Sequence, residues 1–251
     1  MTFSAVTLAG PAARIGTLNE APLHADLKAW YAEPGDRLEV PLEGRHIDLV
    51  RGELLVEIQT RGFSALRAKL SELLARHPVR LVHPIAAEKW IVRVDGEGRV
   101  LGRRRSPRRG RLEDVFGELV SLPRLLLRPN FSCEVLLVQE EEVRRHAPGP
   151  EAPPWRSRRA WRRKGWVVVE RRLVAVLERR LLRGPSDLLQ LLPSDLPSPF
   201  TTADLATRLE VTRDLAQKMA YCLREVGAIE TRARGRAGCL YRLAPEHQAR
   251  C

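Results

Sequence analysis

The stretch RLEVPLEGRHIDLVRGELLVEIQ, residues 37–59, decides the fold of the chain. Apolar and polar side chains alternate along it, which is typical of half-buried strands. It predicts three strands, Arg37–Leu42, Arg45–Val50 and Glu53–Gln59. The separators Glu43-Gly44 and Arg51-Gly52 favour tight hairpin turns. We therefore expect an antiparallel meander of three strands.

Helices are predicted on both sides of this meander. Asn19 can cap a helix over Glu20–Ala32, and Ser64 can cap an amphipathic helix that ends near Arg76, before Pro78. A compact apolar strand, Val79–Ile85, follows. The order helix, three strands, helix, strand predicts an α/β fold, in which helices pack on a mixed sheet.

Two acidic residues lie on neighbouring strands of the predicted meander. Asp48 and Glu57 are each flanked by apolar residues, and Glu57 and Gln59, two apart, point to the same face. Two carboxylates in proximity repel each other unless a cation lies between them. Such oxygen ligands suit Mg²⁺ or Mn²⁺. The alternative is structural, with Asp48 capping a turn, Glu57 pairing with an arginine and Glu20 favouring a helix start.

This order of acidic residues resembles the PD-(D/E)xK nuclease superfamily over roughly residues 15–95, with Glu20 on the first helix, Asp48 on the second strand and Glu57-x-Gln59 on the third. The resemblance implies a restriction endonuclease-like core and metal-dependent hydrolysis of phosphodiester bonds. By this resemblance Asp48, Glu57 and the carbonyl oxygen of Ile58 would hold the metal. Glu20 would complete the site or hold a second metal.

One position departs from that pattern. The superfamily usually has lysine where this chain has Gln59. Glutamine can hydrogen-bond the attacking water but brings no positive charge to the transition state. Lys69, on the second predicted helix, is our candidate for a relocated charge.

The charge of the chain indicates a polyanionic partner. Lysine and arginine total 43 against 31 acidic residues, which gives a net charge of +12. Nucleic acid is the first expectation and a membrane surface the second. No run of about 18 apolar residues predicts a membrane span. Four cysteines without a CxxC pair argue against a zinc site or a disulfide framework, and we expect a cytoplasmic protein.

Arginine and tryptophan are interleaved in residues 155–166, after a proline-rich stretch at 146–154. Arginine forks suit phosphate oxygens, and tryptophan can stack on bases. The alternative is a solvated basic loop whose tryptophans lie in the core. The candidate DNA contacts are Arg156, Arg158, Arg159, Trp161, Arg162, Arg163 and Lys164. The run 103–111 has six arginines and is expected to be a solvated loop.

Residues 200–243 resemble bacterial winged helix-turn-helix domains. Thr201 or Thr202 can cap a short helix, Thr212 can cap a longer one over Arg213–Val226, and a hairpin follows. In that family the second helix commonly lies in the major groove. The implied contacts are Arg213, Gln217 and Lys218 on the helix, and Arg232, Arg234 and Arg236 on the wing. The alternative is a winged helix used for protein contacts.

These patterns predict four parts: a leader at 1–14, a nuclease-like domain at 15–147, a basic bridge and linker at 148–199, and a winged helix domain at 200–251. The leading prediction is a Mg²⁺- or Mn²⁺-dependent DNA endonuclease without membrane association. The resemblance also allows a homodimer, since many such nucleases pair to cut both strands. The alternatives are a non-catalytic DNA-binding protein and an RNA-processing factor.

Overall fold

A computed structural model of the chain describes residues 21–146, 165–235 and 238–245. Packing divides the chain into two units. The first contains the described residues within 1–32, 86–111 and 137–178, and the second contains those within 33–85, 112–136 and 179–251. The predicted mixed α/β architecture is confirmed.

The predicted meander is present. Its strands are β1 (Arg37–Leu42), β2 (Arg45–Arg51) and β3 (Leu54–Ile58), paired antiparallel in sequence order. Gly44 and Gly52 have φ of +73° and +56°, a conformation that the two hairpin turns require and that glycine adopts without strain.

A crossover joins β3 to the next strand. A 3-10 turn, Phe63–Leu66, leads into helix α2 (Arg67–Leu73), and β4 (Val79–Val94) returns parallel to β3. Parallel neighbours require such a crossover. Leu70 and Leu73 of α2 are buried. The crossover therefore fixes α2 within the second unit.

Two segments expected to lie outside the sheet are strands. Arg103–Arg105, predicted as loop, belong to β5 (Val100–Arg105), which pairs with β4. β7 (Trp166–Leu182), inside the predicted bridge at 148–199, lies beside β6 (Phe131–His146). Their basic side chains pair with glutamates on neighbouring strands. A run of arginines therefore does not indicate a solvated loop in this chain.

The strand order is β1-β2-β3-β4-β6-β7, with β5 on β4. The strand predicted at Val79–Ile85 continues to Val94 in β4.

Helix α1 (Pro22–Tyr31) belongs to the first unit. It buries Leu23, Leu27 and Tyr31. The Asp26 carboxylate accepts a hydrogen bond of 3.0 Å from the backbone N–H of Leu173 on β7. This bond satisfies a buried carboxylate and attaches α1 to the sheet of that unit.

The second unit also contains short helical segments between β5 and β6. They are the 3-10 turns Leu112–Val115 and Pro123–Leu127, with helix α3 (Phe116–Leu119) between them. Residues 112–127 are thus helical in three short pieces. Phe116 and Leu119 are fully buried.

The C-terminal part of the second unit is a helix–turn–helix followed by a hairpin. Its elements are α4 (Pro185–Leu189), α5 (Thr202–Arg208), α6 (Arg213–Glu225), β8 (Ile229–Gly235) and β9 (Gly238–Leu243). Thr201 and Thr212 cap α5 and α6, as predicted.

α6 packs against α3 and the Pro123–Leu127 turn, and Arg124 forms a 2.9 Å ion pair with Glu225. The boundary predicted at 199/200 therefore does not separate two compact units. Within the described part of the chain, no helix has both the length and the apolar character that a membrane span needs.

Candidate active site

The pairing of β2 with β3 brings two carboxylates together. Leu49 lies opposite Val56, and the same register carried one residue further places Asp48 opposite Glu57. Directly opposed residues of antiparallel strands share a face, with Cβ atoms about 4.5–5.5 Å apart. Glu57 is only 5% exposed and Asp48 is half-buried. The expected acidic pair therefore shares one face of the sheet.

Lys69 of α2 reaches this pair. Its Nζ lies 2.7 Å from Oε1 and 2.7 Å from Oε2 of Glu57. It also donates a hydrogen bond of 2.5 Å to the carbonyl oxygen of His46 on β2. A lysine twelve residues after Glu57 in the sequence thus places a positive charge at the buried carboxylate.

Asp48 is fixed by a backbone contact. Its Oδ2 accepts a hydrogen bond of 2.7 Å from the backbone N–H of Ile58. Hydrogen bonds to a carboxylate are among the stronger ones in proteins. This bond attaches the Asp48 carboxylate to the end of β3, beside Glu57.

Gln59 is engaged in the turn after β3. Its side-chain Nε2 donates to the carbonyl oxygen of Arg61 at 2.6 Å, and its backbone N–H donates to Val82 at 2.8 Å. The carbonyl oxygen of Gln59 accepts from His83 Nδ1 at 2.7 Å. The positive charge at this site comes from Lys69, and Gln59 orders the backbone around it.

His83 lies beneath the turn and was not predicted as a site residue. It is 6% exposed and packs edge-on against Phe63, with ring centroids 4.9 Å apart. Burial lowers the pKa of His83, although the Gln59 carbonyl and the charge of Glu118 act in the opposite direction. The neutral ring therefore donates from Nδ1 to Gln59. A lone histidine inside an apolar strand was the available signal.

Glu118 of α3 is the second residue that sequence reasoning missed. Its Oε2 accepts hydrogen bonds from the backbone N–H groups of Gly62 and Phe63, at 2.8 and 3.0 Å. These groups begin the 3-10 turn that leads into α2. No local pattern could reveal this contact, because 55 residues separate Glu118 from Phe63.

The oxygen donors at this site are of the kind that a divalent cation such as Mg²⁺ takes. Asp48, Glu57 and the Ile58 carbonyl are oxygen donors, and Mg²⁺ commonly takes one or two carboxylates together with water and phosphate oxygens. Within the described residues, no three His, Cys, Asp or Glu side chains converge on one point. Glu20, predicted as a further ligand, lies outside the described residues.

The exposed face of α6 carries the predicted contact residues. Arg213 and Gln217 are exposed, and Lys218 Nζ lies 2.8 Å from Asp214. One helical turn beyond Gln217, Tyr221 is 39% exposed, with the Arg224 guanidinium 5.6 Å from its ring centroid. Tyr221 was not predicted, although its position four residues after Gln217 places it on the same face of the helix.

Arg232 and Arg234 are exposed on β8. The remaining predicted contacts lie outside the described residues: Arg156, Arg158, Arg159, Trp161, Arg162, Arg163, Lys164 and Arg236.

Comparison with known proteins places this site inside a family. A family model described as a domain of unknown function, DUF8091, matches residues 21–183. The chain belongs to the DUF8091 family. An uncharacterized protein of Treponema pallidum (strain Nichols) is 32% identical over 193 residues, which cover 76% of this chain and 73% of the relative. No solved structure matches the chain. The DUF8091 match includes Asp48, Glu57 and Lys69 and ends before α5.

Proposed function

We propose that the chain is a metal-dependent DNA endonuclease with a restriction endonuclease-like core. The main support is the arrangement on one face of β2 and β3. Asp48 lies opposite Glu57 there, and Lys69 contacts Glu57 at 2.7 Å. A pair of carboxylates can hold a divalent cation, and an adjacent ammonium group can contact the oxygens of a phosphate ester. The net charge of +12 suits a nucleic-acid substrate.

In this proposal Asp48, Glu57 and the Ile58 carbonyl hold Mg²⁺ or Mn²⁺. When bound, the metal polarises the scissile phosphate and activates a water molecule. The Ile58 N–H keeps the Asp48 carboxylate at the end of β3. Lys69 exchanges part of its contact with Glu57 for the phosphate oxygens and stabilises the charge that develops on them.

We propose that the C-terminal helix–turn–helix and hairpin form a winged helix that positions DNA. Arg213, Gln217 and Tyr221 form an exposed row along α6. Side chains spaced four apart on a helix share a face and can enter a groove together. α6 packs on α3 in the same unit as β2 and β3. DNA bound to α6 would therefore be cut at a fixed distance from the α6 contact. Pairing as a homodimer would allow both strands to be cut.

The test is cleavage of supercoiled, linear, single-stranded and branched DNA, and of RNA, with Mg²⁺ or Mn²⁺. We expect metal-dependent DNA cutting that Asp48→Asn, Glu57→Gln and Lys69→Met each abolish while DNA binding is retained. The matched control is Glu72→Gln, because Glu72 is an exposed acid on α2 that pairs with Arg45 instead. Cutting that persists in the first three variants would refute the proposal, and preferential cutting of RNA would change the substrate.

A second candidate is a non-catalytic DNA-binding protein on the same fold. It is favoured by one observation: Lys69 contacts both carboxylate oxygens of Glu57, while the Gln59 amide is bonded to the carbonyl oxygen of Arg61. This candidate predicts DNA binding of equal strength in EDTA and in Mg²⁺, without cutting in either.

A further inference from the structure

The arginines of β5 and the end of β4 fall into two groups by sheet face. In the register of these strands Trp90 lies opposite Arg105, Ile91 opposite Arg104, and Val92 opposite Arg103. Opposed residues share a face and successive residues alternate. Arg103 and Arg105 therefore occupy one face, and Arg104 occupies the other.

The two arginines on the first face are neutralised. Arg103 pairs with Glu141 at 2.8 Å, and its guanidinium also lies 4.0 Å from the centroid of the Trp90 ring. Arg105 pairs with Glu88. An arginine beside a carboxylate presents less net positive charge to a polyanion than an arginine without an acidic partner.

The second face carries two arginines without acidic partners. Arg93, two residues after Ile91, shares this face with Arg104, and both are exposed. Among the residues that the structure describes, neither forms an ion pair or a hydrogen bond through its side chain. They are diagonal neighbours, for which the expected separation is about 7–8 Å. Two like charges so placed favour a polyanion that contacts both.

Arg93 is held in position by aromatic rings. Its guanidinium lies 4.8 Å from the centroid of the Trp166 ring, and His146 meets that ring edge-on at 5.3 Å. Stacking on an indole leaves the guanidinium N–H groups directed to the sides, where they can bind phosphate oxygens in a forked arrangement. Because the rings already restrict Arg93, binding through it loses less side-chain entropy.

We infer that Arg93, Arg104 and Trp166 form a binding site for the phosphate backbone of DNA, in the first unit. The two guanidinium groups contact neighbouring phosphates, and Trp166 positions Arg93. The choice of DNA as the polyanion rests on the proposed function, but the site does not use Asp48, Glu57 or a metal.

The test is binding of the full chain to a short fluorescent duplex in EDTA, across a range of salt concentrations. The double variant Arg93→Ala/Arg104→Ala should bind about tenfold more weakly near physiological salt, and its salt slope should fall by about two, since each lost phosphate contact removes about 0.9. The control Arg103→Ala/Arg105→Ala removes the same charge from the opposite face and should leave both quantities unchanged.

Two further variants isolate the role of the stack. Trp166→Phe keeps an aromatic face for Arg93 and should bind nearly as well as the natural chain. Trp166→Leu should weaken binding severalfold while the salt slope stays the same, because the charge remains but is no longer held. Circular dichroism and thermal unfolding would verify that every variant is folded.

Equal losses in the two double variants would overturn the inference, since overall charge alone would then explain binding. So would unchanged binding in Arg93→Ala/Arg104→Ala. If the chain binds DNA through this face but does not cleave it, the inference stands and the proposed nuclease fails. If cleavage depends on Asp48 but DNA binding does not depend on Arg93 and Arg104, the proposed nuclease stands and this inference fails.

Discussion

Glu57 is a buried carboxylate whose charge is balanced by Lys69. Its side chain is 6% exposed and that of Lys69 is 17% exposed, so water screens the contact weakly. Removing one partner of a buried ion pair leaves the other charge without compensation. The lysine therefore contributes to stability as well as to the proposed chemistry.

We expect Lys69→Met to lower the free energy of unfolding by about 3 kcal/mol in EDTA. Mn²⁺ should restore more stability to Lys69→Met than to the natural chain, because a cation bound at Glu57 replaces the missing charge. Chemical denaturation with and without Mn²⁺ measures both effects.

Arg45→Met is the control for that experiment, because Arg45 joins β2 to Glu72 of α2 through an exposed ion pair of 2.8 Å. It should cost less than about 0.5 kcal/mol and respond to Mn²⁺ as the natural chain does. An equal Mn²⁺ response in Lys69→Met would count against a cation site at Glu57.

His83 should make stability depend on pH. Burial lowers the pKa of His83 from its usual value of 6.5. Both states are neutral above that value, so the full stability is present there. Below it the unfolded chain binds a proton that the folded chain resists, and the free energy of unfolding falls.

His83→Gln removes this titration, so the free energy of unfolding should fall less steeply below pH 6.5. The slope should change by at most about 1.4 kcal/mol per pH unit. Urea denaturation between pH 7.5 and pH 5 measures the slope. Identical slopes for His83→Gln and the natural chain would contradict the expectation.

Among the elements, the meander and α2 could be predicted because their signals are local. Alternation sets the strands, and glycine turns separate them. β5 and β7 could not be predicted in this way, because runs of charged side chains are typical of solvated loops. Only the fold shows that glutamates on neighbouring strands pair with these arginines.

The same distinction applies to the candidate site. Strand pairing follows from the turn after Arg51, so the opposition of Asp48 and Glu57 was predictable. The contact between Lys69 and Glu57 depends on how α2 crosses the sheet, and sequence suggested only the candidate. The bonds from Glu118 to Gly62 and Phe63 join distant parts of the chain and had no sequence signal.

The start of α5 provides a test at the element scale. Thr201 Oγ1 accepts from the backbone N–H groups of Ala203 and Asp204, both at 3.2 Å, and Asp204 Oδ2 accepts from the Thr201 N–H at 2.8 Å. Thr201→Ala should cost about 1 kcal/mol of stability, measured by thermal unfolding. Thr201→Ser keeps the hydroxyl group and should cost much less. Equal losses would mean that the cap does not stabilise α5.

At the scale of the molecule, cysteine reactivity reports whether the C-terminal part unfolds with the sheet. Cys133 of β6 and Cys222 of α6 are buried, and burial raises the pKa of each thiol to about 12. Neither should react with a thiol reagent at pH 8 in the folded protein, whereas the half-buried Cys239 should.

Because both buried cysteines lie in the second unit, we expect Cys133 and Cys222 to become reactive at the same rate in moderate denaturant. Mass spectrometry of the labelled peptides measures each rate. Much faster labelling of Cys222 would show that the helix–turn–helix opens by itself, as a domain boundary at 199/200 would require.

The strands β4, β6 and β7 each have residues in both units, so neither unit is one continuous segment. During synthesis the chain leaves the ribosome with its N-terminus first. The first unit lacks its last strand until residue 178 has been made, and the second lacks α6 and its hairpin for longer still. Apolar strands such as β3 therefore emerge long before their unit is complete. Neither unit can therefore fold completely until most of the described residues have been made, and chaperone demand should be greatest while the apolar strands lack their partners.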